Sequence, residues 1–430
     1  MGGNLRFRLT RDQVNVSELF AGPISCETAR MDAIRIALIV GAALGVCANA
    51  GDNRYAEAAE QLDATIVENY AYLDALPDGG LPKSEVLTAE RKAVHDDRSL
   101  LAYAEKRLAS LADHHAITGS SFRDSWAVVP TYTDLWVVKQ GDQFVVDAVR
   151  DGSPADDNGV LEGDIIMAVN DLPIGRAVTS FWADLGLAET QARAEYAARV
   201  LVAGRRDRAR KITIKNRFGM VRELVLPSMY DLESAERPPL SVCRSDARTV
   251  VRFNNSLGDT RTIDAFEEAM RSVPEGDDLI LDLRDTPSGG NTTVARGIMG
   301  WFVSEPRGYQ IHNRHAEQRQ TGIPRQWIEQ VLPRNGMYRA ELPIIVVGRW
   351  TGSMGEGIAV GFAGLGAEVR GTKMAGLKGS IEDLRVGEAD LTVKLPTEML
   401  LTTSGLPRED FVPEPMHDQH LIFGGMLTCR

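Results

Sequence analysis

Two glycine-rich loops in the carboxyl-terminal half hold residue types suited to acyl transfer. The first reads Asp282-Leu283-Arg284-Asp285-Thr286-Pro287-Ser288-Gly289-Gly290, after a hydrophobic strand and before a helix. The second, Gly348-Arg349-Trp350-Thr351-Gly352-Ser353-Met354-Gly355-Glu356, has the same strand, loop and helix setting. A serine at a helix amino terminus meets unpaired backbone N–H groups and the positive end of the helix dipole. Such a place can hold a tetrahedral oxyanion. A Gly-Gly turn lets a second N–H approach with no side chain in the way. Read alone, Ser353 also fits a helix cap. Its flanks are not the Gly-x-Ser-x-Gly elbow of α/β-hydrolases. No Gly-Lys-Ser/Thr follows Gly289-Gly290, which excludes a phosphate loop.

The elements that must position these loops fall into three textures. Residues 54–112 carry apolar side chains at three- to four-residue spacing, as in Leu62, Ile66, Tyr70 and Leu73, which predicts helices ending at Asp113-His114-His115. From 125 to 228 short apolar or alternating runs predict strands, with a helical insertion at 179–204 rich in Ala and Glu. From 240 onward strands (Thr249–Phe253, Asp278–Leu283, Ile344–Val347, Ala367–Gly371) alternate with helices (Ile263–Ser272, Val294–Phe302, Gly355–Leu365), which predicts a layered α/β sheet. The fold class is multi-domain α/β. The boundaries are 1–50 signal region, 51–124 helical segment, 125–228 second domain and 229–430 catalytic domain.

The second domain resembles a PDZ domain of the kind embedded in processing proteases. The resemblance rests on Gly152-Ser153-Pro154-Ala155, Gly159-Val160-Leu161, Gly163-Asp164-Ile165-Ile166 and Val169-Asn170-Asp171. It implies that an extended peptide adds as a strand to a sheet edge. The ordered set of this domain, the Asp-Leu-Arg loop with its glycine pair, Ser353 three residues before Glu356, Gly371-Thr372-Lys373-Met374-Ala375-Gly376-Leu377-Lys378-Gly379, and Gly405-Leu406-Pro407-Arg408-Glu409-Asp410-Phe411-Val412-Pro413 is similar to serine peptidases of the tail-specific, C-terminal-processing family. That resemblance implies a crotonase-like α/β catalytic domain, Ser353 as nucleophile, and an oxyanion site from the N–H of Gly289 or Gly290 with that of Met354.

The family resemblance leaves two bases open. Its tail-specific branch implies Lys378, 25 residues beyond Ser353. Its tricorn-like branch implies His115, in Asp113-His114-His115-Ala116, oriented by Glu409. A histidine works near pH 7 with little pKa change, whereas a lysine must be desolvated and lowered by several units. The tricorn-like branch is therefore favoured, with His114 expected at the surface.

Residues 36–47 read Ile-Ala-Leu-Ile-Val-Gly-Ala-Ala-Leu-Gly-Val-Cys, too short to span a bilayer. With Met31 and Arg35 before it and Ala48-Asn49-Ala50 after it, the stretch fits a secretory signal cleaved before Gly51, with Met31 as an alternative start. Export to the periplasm or beyond follows. Of the four cysteines, Cys243 and Cys429 would remain and could pair in an oxidising compartment. His312 with His315, and His417 with His420, lack a third metal ligand of sensible spacing, so no metal and no cofactor is expected. The 48 basic against 60 acidic residues, net −12, with no basic block, exclude nucleic acid as a main partner.

The reading is an exported serine endopeptidase acting on protein or peptide substrates, with homo-oligomerisation left open. The rival is a catalytically inactive protein of the same fold that binds peptides or an apolar ligand.

Overall fold

Helices α1 (54–69), α2 (Glu85–Lys92) and α3 (Asp97–Ala109) open the computed structural model, which describes residues 54–232, 237–245 and 247–416. The signal region, His417, His420 and Cys429 lie outside the described residues. Asp96 starts α3 by accepting the Ser99 N–H at 2.7 Å while the Ser99 hydroxyl takes the Asp96 N–H at 3.0 Å. This reciprocal cap fixes where the helix begins. Past its end the chain carries Asp113, His114 and His115 into strand β1 (Ile117–Thr118).

The second region forms an antiparallel sheet from β2 (Leu135–Gln140), β3 (Gln143–Val149), β4 (Ile165–Val169), β5 (Leu172–Pro173), β6 (Arg210–Lys215) and β7 (Val221–Leu226). A short helix α4 (Pro154–Asp157) follows β3. Helices α5 (Ile174–Ala183) and α6 (Gln191–Ala203) lie between β5 and β6. Their buried faces, with Trp182, Tyr196 and Val200, close a core on Val137, Ile166 and Ile212 of the sheet.

The third region is layered. Strands β8 (Leu240–Ser245), β9 (Arg248–Phe253) and β10 (Asp278–Asp282) join helices α7 (Arg261–Ser272) and α8 (Thr292–Met299). β11 (Arg307–Asn313), α9 (His315–Thr321) and β12 (Gln326–Val331) follow, then β13 (Ile344–Val347), α10 (Met354–Leu365), β14 (Val369–Gly371), β15 (Ser380–Arg385), β16 (Thr392–Leu401) and β17 (Glu414–Pro415). The main sheet runs β17-β14-β13-β10-β9-β8, parallel except for the β8–β9 pair. β10 and β13, its central neighbours, read Asp-Leu-Ile-Leu-Asp and Ile-Ile-Val-Val and are almost wholly buried, as strands covered on both faces must be. Each ends in one of the two loops singled out above.

A further sheet, β1-β16-β11-β12 with β15 on β16, is not apparent in the sequence. Pro396 interrupts β16, and β15 reads Ser-Ile-Glu-Asp-Leu-Arg, so their periodicity is masked. Its β16 residues Val393 and Leu395 pack under the amino-terminal helices beside Leu62, Ile66 and Leu108. This sheet therefore ties the first helices to the catalytic region. The α8 helix stops at Met299, short of Phe302, with Gly300 as its C-cap residue. Cys243, on β8, is disulfide-bonded.

Candidate active site

Ser353 caps α10 with φ 50 and ψ −109. A serine in this region is strained, and such strain persists only where the surroundings enforce it. Its N–H donates to Glu356 Oε2 at 2.9 Å, the reciprocal half of a Ser-x-x-Glu cap. The two loops are stitched side by side. Thr286 and Thr351 form a parallel bridge, Thr286 N–H donates to the Trp350 carbonyl at 3.0 Å, and Gly352 N–H donates to the Thr286 carbonyl at 3.2 Å. Both threonine hydroxyls donate to the Leu283 carbonyl, at 2.8 and 2.9 Å.

This stitching presses Gly289 onto the serine. A Cβ at Gly289 would sit 2.5 Å from Ser353 Cβ and 3.1 Å from Met354 N, and its φ of +65 is the left-handed region that suits glycine. A Cβ at Gly290 would fall on the carbonyl of Leu257. The Gly289 N–H is used within its own turn, donating to the Thr286 carbonyl at 3.1 Å. Among the described residues the N–H groups of Gly290 and Met354 find no acceptor. Of the two glycines, Gly290 is thus the one with a donor to offer an oxyanion.

Glu356, 0% exposed, does more than cap. Its Oε1 accepts the Gly376 N–H at 2.9 Å and its Oε2 the Leu377 N–H at 3.1 Å. Burial pushes this carboxyl up to about 7, against the lowering effect of Arg408 and the three N–H donors. The same loop is held from its other side. Arg408, 1% exposed, donates to the carbonyls of Leu377 and Gly379 at 2.8 and 3.0 Å. The Lys378 carbonyl between them lies 2.6 Å from His115 Nδ1. Ser353, the Lys378 loop and His115 are therefore brought together through one carboxylate, one guanidinium and one imidazole.

The His115 ring is buried, and burial lowers its pKa, with the Lys378 carbonyl opposing. The backbone N–H of His115 donates to Asp113 Oδ1 at 2.9 Å, and the other oxygen of Asp113 takes the Tyr70 hydroxyl at 2.8 Å. A carbonyl accepts only, so Nδ1 carries the proton and Nε2 keeps its lone pair. This is the tautomer a general base needs.

Glu409 does not hydrogen-bond to His115; the Lys378 carbonyl occupies the place the sequence reading gave to this glutamate. Half-buried Glu409 lies instead beside Tyr72, with Oε2 unpaired and its carboxyl raised by burial. The Lys378 ammonium stands 5.3 Å from the centre of the Tyr72 ring. His114, expected at the surface, is tucked in. It stacks 4.5 Å from the Tyr196 ring, lies 2.6 Å from the Val128 carbonyl, and burial brings its pKa down to about 3. Glu356, Arg408 and Asp113 acquired no roles from the sequence. The Ser-x-x-Glu spacing could have pointed to Glu356, whereas nothing local signals Arg408.

The second region forms one wall of the site. Trp350 packs edge-on against Trp136 at 6.4 Å and donates its indole N–H to the Thr133 carbonyl at 3.0 Å. Arg150 bonds Asp285 at 3.1 Å, and Arg237 bonds its other oxygen at 2.8 Å. His312 is held by Glu398 at 2.8 Å and Glu329 at 3.1 Å, outside this constellation.

Residues 249–410 match the model of peptidase family S41. No curated protein matches the sequence. Among solved structures, a photosystem II D1 C-terminal processing protease shares 14% identity, covering 84% of this chain and 93% of that one, with a TM-score of 0.52. Mature CPAF shares 12%, covering 84% and 92%, also at 0.52. These likenesses are of fold, and they extend over the helical and second regions as well as the matched domain. With the family match spanning both loops, residues 249–410 form a peptidase family S41 domain, and the chain is a serine-type peptidase.

Proposed function

We propose that the chain is an exported endopeptidase that opens peptide bonds by acyl transfer through Ser353. Ser353 Oγ attacks the scissile carbonyl and His115 Nε2 takes its proton. The N–H groups of Gly290 and Met354 hold the oxyanion at the start of α10. The protonated imidazole then returns the proton to the leaving amine, and water repeats the sequence on the acyl-enzyme. The observation that carries this reading is the Glu356 carboxylate, which binds the N–H of both Ser353 and Leu377 and so fixes the nucleophile beside the loop that holds His115. Lys378 acts here through its backbone carbonyl. Its side chain, turned to Tyr72, serves to position the loop.

Substrates are proteins or peptides. We read residues 125–228 as PDZ-like, but strand addition to β2 meets an obstacle. Glu195 of α6 accepts the Lys139 N–H at 3.3 Å and Gln191 donates to the Lys139 carbonyl at 3.0 Å, closing that edge of β2. The region therefore acts as a fixed wall of the active site. A fluorophosphonate probe tests the central step: it should label the full chain at Ser353 and leave Ser353→Ala unlabelled. Labelling that survives in Ser353→Ala would refute the nucleophile.

A further inference from the structure

Away from Ser353, a cavity of about 790 Å³ opens between α3, the 116–128 segment and helices α5 and α6. Its volume is in the range of about 300–1,000 Å³ typical of small-ligand sites. Part of its lining is apolar, with Leu108, Val128, Phe181, Tyr196 and Leu201. Around residues 121–126 the lining carries Arg98, Arg205 and Arg206. Each guanidinium lies over an aromatic ring: Arg98 at 5.2 Å from Phe122, Arg205 at 3.9 Å from Trp126, Arg206 at 4.6 Å from Tyr230. None of the three forms an ion pair among the described residues, and Arg206 Nε is buried without an acceptor. Glu105 and Asp124 also line the cavity there. The Glu105 carboxylate is turned to the Ser125 hydroxyl, and Arg205 reaches only the Asp124 carbonyl, at 2.9 Å. Three such cations beside an apolar chamber suit a molecule with one anionic head and a hydrocarbon body.

The chamber also touches the segment that carries His115. Tyr196 stacks on His114, Val128 bonds His114, and Ala116 and Ile117, which line the cavity, directly follow His115. We infer that this cavity is an effector site for a linear alkyl carboxylate, whose occupancy steadies the His114-His115 segment. The inference concerns a site apart from the reacting atoms, and its coupling half rests on the role given to His115.

The test uses the full chain carrying Ser353→Ala, so that binding is read without turnover. The fluorescent probe 11-(dansylamino)undecanoate should bind saturably and be displaced by decanoate. Decan-1-ol should compete at least tenfold more weakly. Arg205→Gln with Arg206→Gln should weaken the probe at least tenfold, and Arg98→Gln should do so if that pair fails to fold. The ring signal of His115, assigned by its loss in His115→Ala, should shift as decanoate saturates. Absence of saturable binding, equal competition by the alcohol, or a His115 signal that stays in place at saturation would each overturn the proposal. In wild-type protein, labelling by a fluorophosphonate should leave probe binding intact, and its loss would place the probe in the active site instead.

Discussion

His115 Nδ1 lies 2.6 Å from the carbonyl oxygen of Lys378, so the two residues that compete for the role of base are joined by a hydrogen bond. The backbone of one sets the tautomer of the other. A chain that keeps both residues at these positions need not use both side chains in chemistry, because one supplies a carbonyl that every residue has. The same relationship explains how a lysine at the expected spacing can belong to the site without acting as its base.

Gly289 is predicted to tolerate no side chain. In Gly289→Ala the new Cβ meets Ser353 Cβ at 2.5 Å in a left-handed backbone conformation. The expected result is a folded protein destabilised by about 1–3 kcal/mol. Its kcat should fall by about 10²–10³, as for a damaged oxyanion site. Thermal unfolding together with steady-state kinetics checks this, and an unchanged kcat would detach Gly289 from the reaction.

Glu356→Gln should separate the serine from the Lys378 loop. The carboxylate accepts three N–H groups, whereas an amide offers one oxygen and turns two donors toward them. Leaving a buried N–H unmet costs about 1–3 kcal/mol. Denaturant unfolding should show at least that loss, with kcat falling more than KM rises. A variant as stable and active as the parent would contradict the bridging role.

Two opposite pH limbs are expected in stability. Burial depresses the folded pKa values of His114, to about 3, and of His115 below the ordinary 6.5. Below pH 6.5 the unfolded chain binds protons that the native state refuses, so stability is complete above that pH and lost as pH falls toward 3. His312 is the reverse. Burial opposes its charge, but Glu329 and Glu398 prevail and raise it to about 9. Its contribution is complete below pH 6.5 and lost as pH rises through 9. Unfolding midpoints measured from pH 4 to 10 should lose the alkaline limb in His312→Gln and keep the acid one. Retention of the alkaline limb in that variant would refute the assignment.

Trp350→Ala should loosen the wall that the second region presents to the site. Trp350 is buried against Trp136 and immediately precedes Thr351, which anchors the serine loop. Loss of the indole should cost about 3–5 kcal/mol, and peptide and protein substrates should suffer alike. Selective loss on protein substrates would restore a delivery role to residues 125–228.

Amino-terminal sequencing of the protein from its native host should find Gly51 first, as Ala48-Asn49-Ala50 predicts. A cytoplasmic chain that retains residues 36–47 would overturn export.

The central sheet and both loops were legible because β10 and β13 are short apolar runs bounded by turn residues, and because Gly289-Gly290 and Ser353 stand at helix starts. The amino-terminal helices were legible through their 3.6-residue spacing. The sheet built on β11 and β16 was not, since Pro396 and the charges of β15 blur a period of two. Glu409 was misplaced for a different reason. A motif places a residue along the chain, whereas the partner of His115 is a main-chain carbonyl that carries no sequence signature. Arg408, its neighbour, proved to be the residue that holds the Lys378 loop, through contacts about thirty residues away in sequence.

The most direct test of His115 as the base compares kcat/KM of His115→Ala and Lys378→Ala on one peptide substrate, with folding of each checked by thermal unfolding. Truncating Lys378 leaves its carbonyl, and hence the His115 tautomer, in place. A loss of about 10⁴ or more is expected in His115→Ala, as for removal of a triad base, and less than about tenfold in Lys378→Ala. Near-parental activity in folded His115→Ala, with activity abolished in Lys378→Ala, would contradict it.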